Sequence, residues 1–186
     1  GRFETVIHTA SSGRRGADAY RSVYLEGSRT LLETFQPRRF IFASSTSVYA
    51  QTDGSVVTEE SPANPERETG QILREAEKLV LAAGGHVARL AGIYAPGRWV
   101  TLERFLDGTA VLEGGGSRVI NQIHRDDAAA ALIFLLEAPP GIYNVTDGCP
   151  LTQKELYAAF AEHFGRPLPP HGPVDLERKR GWTNKR

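Results

Sequence analysis

The 186-residue sequence contains no methionine and a single cysteine, Cys149. One cysteine excludes an internal disulfide framework and favours a reducing compartment, so we expect a cytoplasmic protein. No apolar run approaches the roughly 20 residues of a membrane-spanning helix, and no signal peptide opens the chain. Because an initiator Met is absent and a strand pattern begins at once, over residues 3–8, we expect a further segment upstream of Gly1.

The sequence also lacks a net charge, since Lys and Arg together number 22 and so do Asp and Glu. A balanced chain has no overall field that attracts nucleic acid or a membrane surface, so we expect neither as a partner. The five His and the one Cys show no spacing typical of metal ligands, and no metal site is predicted. A small-molecule ligand remains as the expected partner.

What the chain does contain is an alternation of short apolar runs with longer amphipathic segments. Strands separated by helices predict right-handed crossovers and a mostly parallel sheet, with ligands at the carboxyl ends of its strands. Residues 95–122 and the Pro-rich tail interrupt the alternation and predict a small cap. The predicted strands lie near residues 3–9, 38–44, 86–93 and 142–145, and the predicted helices span 17–36, 67–83, Asp126 to about residue 138, and Thr152 to about residue 165.

Hydroxyl groups and arginines lie where such a sheet meets its ligand. Residues 44–46 (Ser-Ser-Thr) end a buried strand, and a hydroxyl there can stabilise charge on a substrate oxygen, although small polar residues are common in turns. Arg14 and Arg15, between glycines after the first strand, could clamp a phosphate or belong to an exposed loop. Arg98 and Arg118 flank the predicted cap and are candidates of the same kind.

Six segments, taken in order, resemble the extended short-chain dehydrogenase/reductases, which are NAD-dependent epimerases and dehydratases of nucleotide sugars. The resemblance implies a Rossmann-like doubly wound fold over residues 1–94 and 123–146 and a cap over 95–122 and 147–186. It also implies that the Gly-rich dinucleotide fingerprint lies upstream of Gly1. The six segments are residues 6–10 (VIHTA), 27–33 (GSRTLLE), 40–49 (FIFASSTSVY), 89–97 (RLAGIYAPG), 123–129 (IHRDDAA) and 143–152 (YNVTDGCPLT).

This resemblance implies NAD or NADP as cofactor and a nucleotide-sugar-like ligand. Four residues would border the cofactor: His8, Ala10, Ser44 and Ser45. Asp127 would lie on the substrate side with the four arginines. Family members often dimerise through the helices that match residues 17–36 and 67–83, so a homodimer is also expected.

The chain departs from the resemblance at the proton-transfer pair. The family carries a Tyr four residues before a Lys, and Glu77 matches a Glu that follows this Lys by four. Counting back gives Leu73 at the Lys position and Thr69 at the Tyr position. Leu73 supplies no charge, and the aliphatic hydroxyl of Thr69 has too high a pKa to act as the general acid or base. Ser45 is therefore interpreted as a ligand contact rather than a member of a working triad.

Two other residues could supply an acid or base, each with an alternative interpretation. Tyr24 is either an active-site phenol or a core aromatic of an amphipathic helix. His124 is either a ligand-side base or a structural hydrogen-bonding group at a helix start. Whether the protein is an enzyme thus stays open at this point, with a non-catalytic NAD(P)-binding sensor or scaffold as the alternative.

Overall fold

The structure is a computed structural model that describes residues 3–13, 16–173 and 183–184. The chain forms two compact units, each assembled from three separate stretches of sequence. The first unit comprises Gly1–Ala50, Glu59–Ala91 and Asp126–Val145, and the second comprises Gln51–Thr58, Gly92–Arg125 and Thr146–Arg186.

Helices separate the four strands of the main sheet, whereas several short strands elsewhere follow one another directly, and short 3-10 turns lie at Thr46–Val48 and Gly114–Gly116. The strands are β1 Thr5–His8, β2 Arg39–Ser45, β3 Val56–Val57, β4 His86–Leu90, β5 Gly92–Tyr94, β6 Leu112–Glu113, β7 Val119–Ile120, β8 Gln122–His124, β9 Gly141–Val145, β10 Leu151–Thr152, β11 His171–Gly172 and β12 Thr183–Asn184. The helices are α1 Ala17–Tyr20, α2 Gly27–Phe35, α3 Glu68–Ala82, α4 Val100–Leu106, α5 Arg125–Phe134 and α6 Gln153–Phe164, with a π-helical segment, Arg21–Glu26, between α1 and α2.

The first unit is built on a four-stranded parallel sheet in the order β1-β2-β4-β9. Every residue of β4 is buried, as expected for a central strand of a parallel sheet covered by helices. The predicted α/β class with a Rossmann-like parallel sheet is confirmed. The ends of β2, β4 and β9 lie at the same edge, where parallel strands present their ligand-binding groups.

Helix α3 forms because its apolar residues recur at helical spacing. Ile72, Leu73, Ala76 and Val80 are all buried, and the helix ends in the turn that precedes Gly84 (φ +73°). A Cβ at Gly70 would lie 2.6 Å from the Cβ of Pro65, so only glycine lets the loop pack this closely against the first turn. The predicted helix over 67–83 is confirmed.

The predicted helix over 17–36 is confirmed in extent but not in its geometry. Six of its residues, Arg21–Glu26, form a π-helical segment in which Gly27 N–H bonds to the carbonyl five residues earlier. The helix ends with Gln36 in the left-handed conformation (φ 42°), immediately before Pro37.

The second unit has a separate apolar core made by α4, β6 and α6. Phe105 and Phe160 are buried there with ring centroids 5.6 Å apart, and Trp99 packs edge-on against Phe160 at 5.0 Å. Helix α6 begins with the predicted capping box, in which Thr152 and Glu155 cap each other's backbone N–H groups. The sequence pattern missed α4, because residues 95–122 are rich in glycine.

The units differ from the predicted domains at three places. Strands β5 and β8, together with residues 51–58, belong to the second unit, whereas the sequence pattern assigned them to the Rossmann-like part. The physical reason is that β5 and β8 pair with each other, in parallel with Ile93 opposite Ile123, and not with the four-stranded sheet. In the part of the chain that the structure describes, no helix combines the length and the apolar character needed to cross a membrane.

Candidate functional site

Three polar residues form a row across the sheet of the first unit. Ser44 on β2 is paired in register with Arg89 on β4, and Arg89 is paired with Asn144 on β9. Residues opposite one another on neighbouring strands share a face, so the three side chains point to the same side of the sheet. Each lies one residue before the end of its strand, at the edge where a ligand is expected.

Glu77 of α3 forms hydrogen bonds with two residues of this row, Ser44 and Arg89, and is completely buried. Its carboxylate accepts two hydrogen bonds from Arg89, from Nη2 at 2.8 Å and Nε at 3.1 Å, and one from Ser44 Oγ at 2.6 Å. Arg74, three residues before Glu77 on the same helix, also donates to this carboxylate. Burial acts to lower the pKa of Arg89, but the hydrogen bonds and charge of Glu77 outweigh it and raise that pKa. Arg89 therefore stays protonated inside the protein.

The network continues from Arg89 to the opposite side of the row. Arg89 Nη1 donates to Tyr49 Oη at 2.7 Å, and Tyr49 donates to Asn144 Oδ1 at 2.8 Å. The backbone N–H of Asn144 donates to Glu59 Oε1 at 2.7 Å. One unbroken set of hydrogen bonds therefore links the ends of β2, β4 and β9 to the loop that contains Glu59, and it holds these ends in a fixed arrangement.

Ser45 is the residue after Ser44 and caps the N-terminus of the 3-10 turn at Thr46–Val48. Its Oγ accepts a hydrogen bond from the backbone N–H of Ser47 at 3.1 Å, and its side chain is half-buried. Among the described residues nothing accepts the proton of this hydroxyl. Ser45 can therefore donate to a ligand oxygen, whereas the proton of Ser44 is engaged with Glu77.

His8 and Ala10 lie at the end of β1 and just after it. His8 is buried, its Nδ1 lies 3.1 Å from Ser28 Oγ, and its ring stacks on Phe42 at 5.5 Å. Burial lowers the pKa of His8, so its imidazole is neutral near pH 7. Ala10 is exposed in the loop that follows the strand. Its small side chain leaves the surface at this edge open.

Tyr24 reaches the same loop from the π-helical segment. Its hydroxyl accepts a hydrogen bond from the backbone N–H of Ser12 at 3.3 Å. Its ring packs edge-on against Phe42 at 6.2 Å and against Tyr20 at 4.9 Å. The ring of Tyr24 thus packs among aromatic residues while its hydroxyl reaches the loop after β1, and its role as an acid or base stays a prediction.

The positions of the expected acid/base pair carry no such chemistry. Leu73 is 3% exposed and belongs to the apolar face of α3, and Thr69 is half-buried in its first turn. Neither offers a charge or an acidic proton.

The remaining predicted residues are divided between the two units. His124 ends β8 in the second unit, edge-on to Tyr94 at 5.3 Å, and Tyr94 in turn stacks on Trp99 at 4.6 Å. Asp127 is exposed in the first turn of α5 and belongs to the first unit.

Arg98 is exposed in the tight turn where its backbone N–H bonds to the Ala95 carbonyl at 2.9 Å. Arg118 is half-buried, and its backbone carbonyl accepts from Gln153 N–H at 2.8 Å. Both belong to the second unit, whereas Arg14 and Arg15 lie outside the described residues. The role of the four arginines as ligand contacts stays a prediction.

The described residues fit one end of a nicotinamide dinucleotide better than the other. The Ser45 hydroxyl and the open surface at Ala10 could contact the reactive end, at the carboxyl edge of the sheet. The pyrophosphate requires a Gly-rich turn between a strand and a helix, and the printed sequence contains no G-x-G-x-x-G segment. Among the described residues there is also no cluster of His, Cys, Asp or Glu that could hold a metal ion.

Sequence reasoning found Ser44, Ser45 and Glu77 but missed the roles of Tyr49 and Asn144. A signal was present, since Ser44, Arg89 and Asn144 each interrupt an apolar strand near its end. Only the register between strands, however, places the three in one row.

Comparison with known proteins gives a consistent result. Residues 1–146 match the NAD dependent epimerase/dehydratase family. Protein YeeZ of Escherichia coli strain K12 is 32% identical over 166 residues, which cover 85% of this chain and 58% of that protein. The chain thus spans less than two thirds of the length of this relative.

Solved structures of two sugar-nucleotide enzymes have the same fold. UDP-glucose 4-epimerase of Thermotoga maritima, determined with UDP-glucose, superposes with a TM-score of 0.83 at 22% identity, covering 98% of this chain and 68% of that one. A double mutant of the dTDP-glucose 4,6-dehydratase of Streptomyces venezuelae, determined with NAD, gives a TM-score of 0.80 at 21% identity, covering 98% of this chain and 64% of that one.

Proposed function

The chain belongs to the NAD dependent epimerase/dehydratase family, and from this premise we propose that it binds NAD or NADP together with a nucleotide-sugar-like ligand. The observation that carries the proposal is Ser45, whose hydroxyl proton has no acceptor among the described residues at the carboxyl edge of the sheet. The buried network around Glu77 supports this role, because it fixes the strand end from which Ser45 projects.

In this proposal the chain's own residues bind and orient the ligand. Ser45 donates a hydrogen bond to a ligand oxygen, and Ala10 leaves room for the cofactor beside β1. His8, neutral and stacked on Phe42, supports the strand end and adds no charge there. The cofactor, when bound, would supply hydride transfer, which places any activity among oxidoreductases or isomerases.

Turnover by the family's usual proton transfer is not expected. Leu73, buried within the apolar face of α3, supplies no cation that would lower the pKa of a hydroxyl at Thr69. This observation favours a second candidate function, in which the protein binds NAD(P) as a non-catalytic sensor or scaffold. His124 or another residue would otherwise have to act as the base.

Calorimetric titration of the full-length protein with NAD⁺ and NADP⁺ tests the shared part of both candidates. We expect binding with one of the two at millimolar concentration or below. If neither NAD⁺ nor NADP⁺ binds, both candidate functions, the enzyme and the non-catalytic sensor or scaffold, are overturned. Nicotinamide reduction measured across a panel of nucleotide sugars then separates them, since binding without redox chemistry supports the sensor.

The variant Ser45→Ala tests the proposed contact directly. We expect its affinity for nucleotide sugar to fall about threefold to tenfold, because one neutral hydrogen bond contributes about 0.5–1.5 kcal/mol. Ser55→Ala, which changes an exposed hydroxyl in the second unit, is the matched control. Equal affinities for both variants and the unmodified protein would argue against Ser45 as a ligand contact.

We further propose that the protein is cytoplasmic, on its single cysteine, and that it forms a homodimer through the helical segment over residues 17–36 and α3. The exposed surface of these helices includes a salt bridge of 3.3 Å between Arg21 and Glu75, so an interface there would be partly polar. Light scattering after size-exclusion chromatography gives the mass directly. A monomer at all concentrations would exclude the dimer.

A further inference from the structure

The π-helical segment Arg21–Glu26 lies directly before α2 and carries Tyr24. A π-helical turn is wider and less favourable than an α-helical one, and such turns occur frequently at functional sites. In this chain no proline lies within the segment to cause the distortion. The distortion therefore has another cause than proline. The side chain that the π-helical segment directs to the end of β1 is that of Tyr24.

The Tyr24 hydroxyl is prepared to donate a hydrogen bond. It accepts from Ser12 N–H at 3.3 Å, and no described residue accepts its own proton. A hydroxyl that accepts one hydrogen bond becomes a stronger donor in the next, because the two polarise each other. Ser12 is itself buried, so this arrangement is partly shielded from water.

Among the described residues, the side chains around this hydroxyl are aromatic and neutral. Tyr20 and Phe42 pack edge-on against the Tyr24 ring, and the buried ring of His8 stacks on Phe42. Burial, followed by the proximity of Tyr24, raises the pKa of Tyr20, which indicates partial withdrawal of this pair from water. A neutral ligand with hydroxyl groups and apolar C–H surface suits a phenol among these aromatic rings.

We propose that Tyr24 is a sugar-contacting residue, whose hydroxyl donates a hydrogen bond to an oxygen of the sugar of a bound nucleotide sugar. This inference rests on the proposed function, since it assigns one contact within the same ligand site. The π-helical segment then serves to place the phenol at the end of β1, beside the loop that contains Ser12.

The test compares Tyr24→Phe with Tyr20→Phe, which removes a hydroxyl one turn earlier in the same aromatic pair. Affinities of the full-length proteins for UDP-glucose and for UDP are measured by calorimetry. We expect Tyr24→Phe to weaken UDP-glucose binding about threefold to tenfold, the value for one neutral hydrogen bond, and to leave UDP binding unchanged. Tyr20→Phe should leave both affinities unchanged.

Each other outcome overturns the inference in a recognisable way. An equal loss of affinity for UDP-glucose and UDP would mean that the hydroxyl only anchors the loop at Ser12. Unchanged affinities would mean that it contacts no ligand. Binding of NAD⁺ but not of UDP-glucose by the unmodified protein would overturn the sugar contact and leave only the NAD(P)-binding part of the proposed function, whereas binding of none of these probes would overturn the proposed function as a whole.

Discussion

At the scale of single residues, the carboxylate of Glu77 determines how the first unit is held together. It is fully buried, and it accepts hydrogen bonds from Arg89, Ser44 and Arg74. Removing one charge of a buried ion pair leaves the other uncompensated, which is much more costly than losing an exposed pair.

We therefore expect Glu77→Gln to lower the free energy of unfolding by about 3–5 kcal/mol. Glu75→Gln, two residues earlier on α3, should cost less than about 1 kcal/mol, because Glu75 and its partner Arg21 are both about half exposed. Urea unfolding followed by circular dichroism measures both values. Similar losses in the two variants would contradict the central role of Glu77.

A second residue, His8, links stability to pH. Burial lowers its pKa in the folded protein, so below about pH 6.5 the unfolded chain binds a proton that the folded chain does not. The stabilisation is therefore present at neutral pH and is lost as the pH falls below that value, at a rate of up to about 1.4 kcal/mol per pH unit.

His8→Gln should reduce this pH dependence, whereas His163→Gln, at an exposed position, should retain it. The free energy of unfolding of each variant is measured between about pH 7.5 and pH 5.5, because an unperturbed His titrates in this range. Parallel curves for all three proteins would show that His8 contributes nothing to the slope.

At the scale of elements, α3 shows why the family's proton-transfer pair cannot be restored without cost. Leu73 is 3% exposed on the apolar face of the helix. A lysine there would either bury a charge or lose its proton, and each unit by which a pKa is lowered costs about 1.4 kcal/mol.

We expect Leu73→Lys to lower stability by at least about 3 kcal/mol, and Leu73→Met by less than about 1.5 kcal/mol. The double change Thr69→Tyr with Leu73→Lys should give no nicotinamide redox activity with nucleotide sugars. Activity in this variant, measured by nicotinamide absorbance, would instead reveal a latent standard site around Ser45.

The elements also show how far the sequence alone could lead. The helical period of Ile72, Ala76 and Val80 predicted α3, and the capping box at Thr152 predicted the start of α6, because both signals are local. The π-helical segment leaves no such signal, since its residues follow an ordinary amphipathic pattern. The Ser44–Arg89–Asn144 row depends on register between strands distant in sequence, which local patterns do not contain.

At the scale of the whole molecule, the two units contain separate cores. Ile72 and Val80 are buried in the first, and Phe105, Tyr157 and Phe160 form the centre of the second. Sequence reasoning anticipated a sheet and a cap, but the second unit also includes residues 51–58 and the β5–β8 pair. Segments of both units alternate along the chain, so a boundary drawn from composition alone cannot follow them.

Because the cores are separate, we expect a substitution that destabilises one core to increase local unfolding mainly in the unit that contains it. Phe160→Ala and Ile72→Ala should each remove about 2–5 kcal/mol of packing from one core. Native-state hydrogen exchange measured by mass spectrometry should then show faster exchange for Phe160→Ala in residues 92–125 and 146–173, with little change in β2 and β4. Ile72→Ala should show the reverse. Uniformly faster exchange in both variants would mean that the two units unfold as one cooperative body, because exchange reports the free energy of the smallest opening that exposes each amide.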